Sequence, residues 1–190
     1  MVIQEKFYTA EEFWEISHRP ENANKRLELV EGEIHEMTPA GGEHGEITFD
    51  FGLVIGNFVK ARNLGRVIAA ETGYILYTDP VTGKDTVRGP DIGFVSIERA
   101  PQPFSGKFIP MPPDLAIEVV SPDDRADEVD AKVQLYLRYG VRMVVVVYPS
   151  SRSVVVHRSD RMYRLKADET LDLGDVIPGF TIKVSEIFPK

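Results

Sequence analysis

The sequence predicts a mixed α/β fold, a central mixed β-sheet flanked by α-helices, in one domain spanning residues 1–190. Three observations predict it. PPDLAIEVVSP (residues 112–122) and VRMVVVVYP (141–149) are continuous apolar runs, as strands buried on both faces are. Between them lies a stretch with helical apolar spacing, so strand, helix, strand reads as a right-handed parallel βαβ unit. On either side, shorter apolar runs punctuated by glycine, proline and aspartate read as hairpins.

From the N-terminus, Thr9 to Glu15 reads as a short helix, with Thr9 as N-cap, Glu12 closing a capping box, and Phe13 and Trp14 packing on a core edge. LELVEGEIHEM (27–37) alternates as a strand or hairpin with a kink or turn at Gly32. PAGGEHGE (39–46) is a glycine-rich loop leading into a helix through about Arg62, whose core face is Ile47, Phe51, Val54, Ile55, Phe58 and Val59. Gly65 ends that helix. GRVIAAETGYILY (65–77) then reads as a strand, DPVTGKD as a hairpin loop, and TVRGPDIGFVSI (86–97) as the returning strand, with Pro90 tolerated at its entry.

Residues 99–113 form a proline-rich connector. DLAIEVV (114–120) is a central strand with Ala116, Glu118 and Val120 on one face. The helix that follows runs to about Tyr139, with Val129, Val133, Tyr136 and Leu137 as its stripe and Gly140 as its C-terminal cap. SRSVVVHRSDRMYRL (151–165) is a hairpin turning at Ser159-Asp160, and DLGDVIPGFTIKVSEIF (172–188) closes the chain as an extended segment.

Composition removes several functions. With no cysteine, the chain has no disulfide, thiolate zinc site or cysteine nucleophile. The N-terminus lacks the apolar stretch of a signal peptide and no run approaches a membrane span, so a cytoplasmic protein without a membrane partner is expected. A formal net charge of -8 argues against indiscriminate coating of nucleic acid, although a site that holds a divalent cation concentrates carboxylates locally.

Glu118 is the least ordinary residue. An unpaired carboxylate inside a buried strand costs several kcal/mol, so it requires a metal, a cation or hydrogen-bond donors. Asp91, on the neighbouring strand, is a second acid. Lys132 borders the buried helical stripe at roughly 8 Å from the helix start, and Glu118 lies roughly 7 to 10 Å from the strand's end. The depths match, so the Lys132 amine either reaches Glu118 or pairs outward with Glu128, four residues earlier. His44 is a candidate metal ligand, phosphate contact or simple loop residue. The chemistry that uses these groups is phosphodiester hydrolysis: Asp91 and Glu118 bind Mg²⁺ or Mn²⁺, and Lys132 offsets the developing phosphorane charge or orients water.

As a set, LELVEGEI, GGEHGEI, AETGYIL, VRGPDIGFVS, PPDLAIEVVSPDD, EVDAKVQLYLRYGV and PGFTIKVSEIF resemble the Uma-type restriction-endonuclease family of the PD-(D/E)XK nuclease superfamily. The resemblance covers nearly the whole chain. It implies a restriction-endonuclease-like core with an extra N-terminal helix and strand and a C-terminal hairpin, and Asp91 and Glu118 as metal carboxylates. His44, in the shared HGEI stretch, becomes an additional site candidate. The superfamily lysine stands two residues after the acid, where this chain has Val120, so Lys132 is expected to supply the amine from the following helix.

A metal-dependent DNA endonuclease, with RNA as an alternative substrate, is the expected function. The alternative is a weak or inactive nuclease fold that binds or dimerises. A homodimer is expected, since cutting both strands of a duplex favours two sites.

Overall fold

The computed structural model describes residues 6–70 and 72–189. Along the chain come α1 (Ala10–Ser17), β1 (Arg26–Val30), β2 (Glu33–Met37), α2 (Gly42–Ala61), β3 (Gly65–Ala69), β4 (Tyr74–Tyr77), β5 (Thr86–Arg88) and β6 (Ile92–Ser96). They are followed by β7 (Leu115–Val119), α3 (Ala126–Arg138), β8 (Met143–Tyr148), β9 (Ser153–His157), β10 (Met162–Leu165), β11 (Thr170–Asp172) and β12 (Thr181–Lys183). Two compact units result. One takes the chain up to Pro39, the stretch that ends at Gly89, and Phe104–Pro112; the other takes Ala40–Ala70, Pro90–Pro103 and the chain from Pro113 onward.

The first unit is a four-stranded antiparallel sheet in the order β2-β1-β5-β4. The β1–β2 turn is Glu31-Gly32, with φ of 48° and 86°, the left-handed pair that two-residue hairpins favour. A Cβ at Gly32 would stand 2.7 Å from Phe7 Cβ, so glycine is required on steric grounds as well. The capping box starts α1: Thr9 Oγ1 accepts from the Glu12 N–H, and Glu12 accepts from the Thr9 N–H. The helix then buries Ala10 and Phe13 with Leu29 and Val87.

The second unit is built on a six-stranded sheet, β10-β9-β8-β7-β6-β3, in which β7 and β8 are parallel and every other pair is antiparallel. α3 is the crossover of this βαβ unit, as the sequence predicts. One sheet face meets α2, whose Ile47, Phe51, Ile55 and Val59 recur every fourth residue and pack with Ile92, Phe94 and Ile117. Each such burial contributes roughly 1.5–3 kcal/mol. A charge placed at Ile55 would therefore break this layer.

Six expectations need correction. GRVIAAETGYILY is two strands in two sheets, because β3 pairs with β6 whereas β4 pairs with β5. At Gly73 a Cβ would come within 2.6 Å of the Phe108 ring, which shows how tightly the chain passes there. TVRGPDIGFVSI also divides, since Pro90 has no N–H for a ladder; β5 ends at Arg88 and β6 starts after Asp91. The glycine-rich lead is helical from Gly42, and Asn63 (φ 52°), not Gly65, provides the left-handed residue after α2. Val54 is 44% exposed and not on the core face. The closing segment is not simply extended. It pairs β11 with β12 and folds Leu173, Val176, Ile177, Phe180 and Val184 onto the core.

Candidate active site

β6 and β7 position the two acids. Their register pairs Ile92 with Ile117 and Gly93 with Ala116, and one further step sets Asp91 across from Glu118. Both are buried, Asp91 at 2% and Glu118 at 8% exposure, so each carboxylate needs partners. Asp91 Oδ2 accepts the Val119 N–H at 2.8 Å and lies 3.1 Å from His44 Nε2. The Val119 bond ties Asp91 to the peptide next to Glu118.

α3 supplies the rest. Lys132 Nζ donates to Glu118 Oε2 at 2.8 Å, and the Tyr136 hydroxyl donates to Oε1 at 2.7 Å. Lysine and tyrosine four residues apart share one helical face, and here both end on one carboxylate. The lysine stem lies along the border of the buried stripe and its ammonium turns inward, leaving the side chain 15% exposed. Of the two expected pairings, the inward one to Glu118 is present.

Burial alone would raise the Asp91 carboxyl. The hydrogen bond and charge of His44, the Val119 N–H and the Lys132 charge outweigh that effect, and together they hold it below the ordinary carboxylate value. His44 and Lys132 thus both act on the Asp91 carboxylate. Among the described residues no three His, Asp or Glu side chains are grouped to hold a metal unaided. Two hard carboxylates in adjacent strands nevertheless suit Mg²⁺, which typically takes one or two carboxylates and completes its shell with water and substrate phosphate.

All four sequence-predicted residues come together in the second unit. Tyr136 is the member that sequence reasoning misses: its place in an apolar stripe reads as core, and its hydroxyl gains meaning only from the position four residues after Lys132. Val120 stands where the resemblance expects a lysine, and its N–H extends the ladder to the Val147 carbonyl at 2.9 Å.

The profile of the family Uma2, described as "Putative restriction endonuclease", matches residues 10–185. The chain belongs to the Uma2 family. No curated protein matches it. A crystal structure described as a "putative nuclease belonging to DUF820" from Anabaena variabilis ATCC 29413 is similar in fold, with a TM-score of 0.77 and 22% sequence identity. The similarity covers 95% of this chain and 97% of the other. The mixed α/β, nuclease-like architecture of this Uma2 chain is thereby established, and His44, Asp91, Glu118, Lys132 and Tyr136 all lie inside the matched span. Among the described residues, no helix is long and apolar enough to cross a membrane.

Proposed function

We propose that the protein is a metal-dependent endonuclease that hydrolyses phosphodiester bonds in DNA. The observation that carries this reading is the Lys132 amine on Glu118 at 2.8 Å, beside an Asp91 that feels the charge of the same lysine. Asp91 and Glu118 would hold Mg²⁺ or Mn²⁺. When bound, the ion supplies Lewis-acid polarisation of the phosphoryl oxygen and acidifies water. In hydrolysis, water oxygen adds to phosphorus, the bond from phosphorus to the leaving oxygen breaks with its electron pair on that oxygen, and the proton given up by the water ends on the leaving oxygen. Lys132 offsets the negative charge that develops on the phosphoryl oxygens, in a site where burial strengthens each electrostatic contact. Tyr136 holds Glu118 from its other oxygen, and His44 orients Asp91. A cytoplasmic homodimer completes the reading, one site for each strand.

The test is cleavage of single-stranded, duplex and branched DNA, with RNA in parallel, in Mg²⁺ and in Mn²⁺. Cleavage is expected and should disappear in Asp91→Ala. No cleavage of any substrate, or cleavage that survives Asp91→Ala, overturns the enzyme reading. RNA cleavage without DNA cleavage reassigns the substrate. The net charge of -8 and Val120 at the superfamily lysine position favour a second reading, a nuclease fold retained for binding or dimerisation. It predicts nucleic-acid or self-association with no turnover in either metal.

A further inference from the structure

α2 has a second apolar face. On the side of the helix away from Ile47, Phe51, Ile55 and Val59, Phe49 is 68% and Leu53 49% exposed. These two belong to a stripe, Glu46, Phe49, Leu53, Gly56 and Lys60, spaced alternately three and four residues apart, the spacing of a helix–helix seam. Gly56 leaves a notch in it, because a Cβ added there meets nothing within 4 Å. The stripe also has a charge order. Glu46 stands seven residues before Leu53 and Lys60 seven residues after it, so acid and base lie at equal distances on either side of an apolar centre.

A stripe of this kind is complementary to itself when reversed. We propose that α2 is a self-association surface on which a second copy of this chain docks, α2 antiparallel to α2 about a two-fold axis near Leu53. Phe49 seats towards the small Gly56 region of the second copy, and Glu46 meets its Lys60; the two-fold repeats both contacts. The isologous geometry of a symmetric dimer needs one self-complementary patch, and this face provides it. A lipid surface fits less well, since Glu43, Glu46 and Asp50 crowd the N-terminal half of the helix where anionic headgroups would be repelled. A helix of 20 residues gives a contact about 30 Å long. That is small for a protein interface, so micromolar, reversible association is expected. The inference deepens the homodimer that the nuclease reading includes, and it is read from the oligomeric state and not from turnover, so the failure of one is distinguishable from the failure of the other.

Sedimentation of the full chain through the micromolar range should show a monomer–dimer equilibrium. Lys60→Glu and Glu46→Lys should each raise the dimer Kd roughly tenfold by turning attraction into repulsion at two symmetric places. The double reversal should restore it. Phe49→Asp and Gly56→Gln should give monomers that melt like the parent, because neither position packs in the core. The chain has no cysteine, so Leu53→Cys should oxidise to a covalent dimer, whereas Val81→Cys, at a residue 89% exposed elsewhere, should not. A parent monomeric at every concentration overturns the proposal. So does a dimer that survives Phe49→Asp, a double reversal that fails to restore association, or equal cross-linking at Val81→Cys.

Discussion

Each unit buries a glutamate inside a strand and pairs it with a cation, yet the two pairs are built differently. In the first unit Glu28, 4% exposed, accepts from Arg88 Nη1 at 2.7 Å and from the Gly89 N–H at 3.1 Å. Leu29 faces Val87 across β1 and β5, so Glu28 and Arg88 are cross-strand neighbours and the pair is a product of sheet register. In the second unit Glu118 receives its lysine and tyrosine from a helix, and a second acid, Asp91, stands on the next strand. A buried strand acid is thus not itself a catalytic signal. What separates the two is the company: a guanidinium reaching across one strand pair, or a lysine point charge from a helix beside paired carboxylates.

Matched substitutions at the two cations have the largest expected effects. Lys132→Met is expected to lower cleavage by about 10²–10³-fold, the scale of losing one charge-stabilising donor, measured at saturating Mg²⁺. Arg88→Met should leave the chemistry in place but cost about 3–5 kcal/mol of stability, because it strands a buried carboxylate; denaturant unfolding measures this. If Arg88→Met abolishes cleavage in protein that is still folded, the distinction between the pairs fails.

Two buried tyrosines extend the contrast at smaller scale. Tyr136 and Tyr74 are 0% and 1% exposed. The Tyr136 hydroxyl donates to Glu118, whereas the Tyr74 hydroxyl has no partner among the described residues, and burial pushes its phenol well above the ordinary value. Tyr136→Phe should therefore destabilise by about 1.5–3 kcal/mol, the range for a hydrogen bond to a charged group. Tyr74→Phe should be neutral or stabilising in the same thermal melt, since it removes an unsatisfied polar atom. A Tyr74→Phe loss as large as that of Tyr136→Phe would show that the hydroxyl is satisfied after all.

The smallest effect concerns pH. Burial pushes the His157 imidazole below its ordinary 6.5, and Asp130 opposes this only in part. A base with a depressed native pKa binds its proton more readily when unfolded. Stability is then full above about pH 6.5 and declines as pH falls from there through the native pKa. His157→Gln should flatten that decline in urea midpoints taken from neutral to mildly acidic pH. An unchanged slope would assign it to other groups.

Much of the core is legible in the residues themselves. The capping box at Thr9, the hairpin turn at Gly32, the βαβ unit from Leu115 to Tyr148 and the cap at Gly140 all follow from local chemistry: turn residues, N-cap acceptors and apolar period are properties of short stretches. The buried Glu118 follows as well, and the rises per residue of strand and helix put Lys132 at its depth, but spacing alone leaves the lysine a choice between Glu118 and Glu128. What escapes such a reading depends on partners distant in sequence. Nothing in GRVIAAETGYILY says that its halves pair with different sheets, since that outcome is set by the strands alongside. Glu28 reads as one more polar residue of an alternating strand until Arg88 comes across from β5, and Tyr136 reads as core until Glu118 stands beneath it. Local sequence dictates the elements, the family and the acids. Which buried polar groups meet is settled only in three dimensions, because hydrogen-bond partners are fixed by packing in space and not by spacing along the chain.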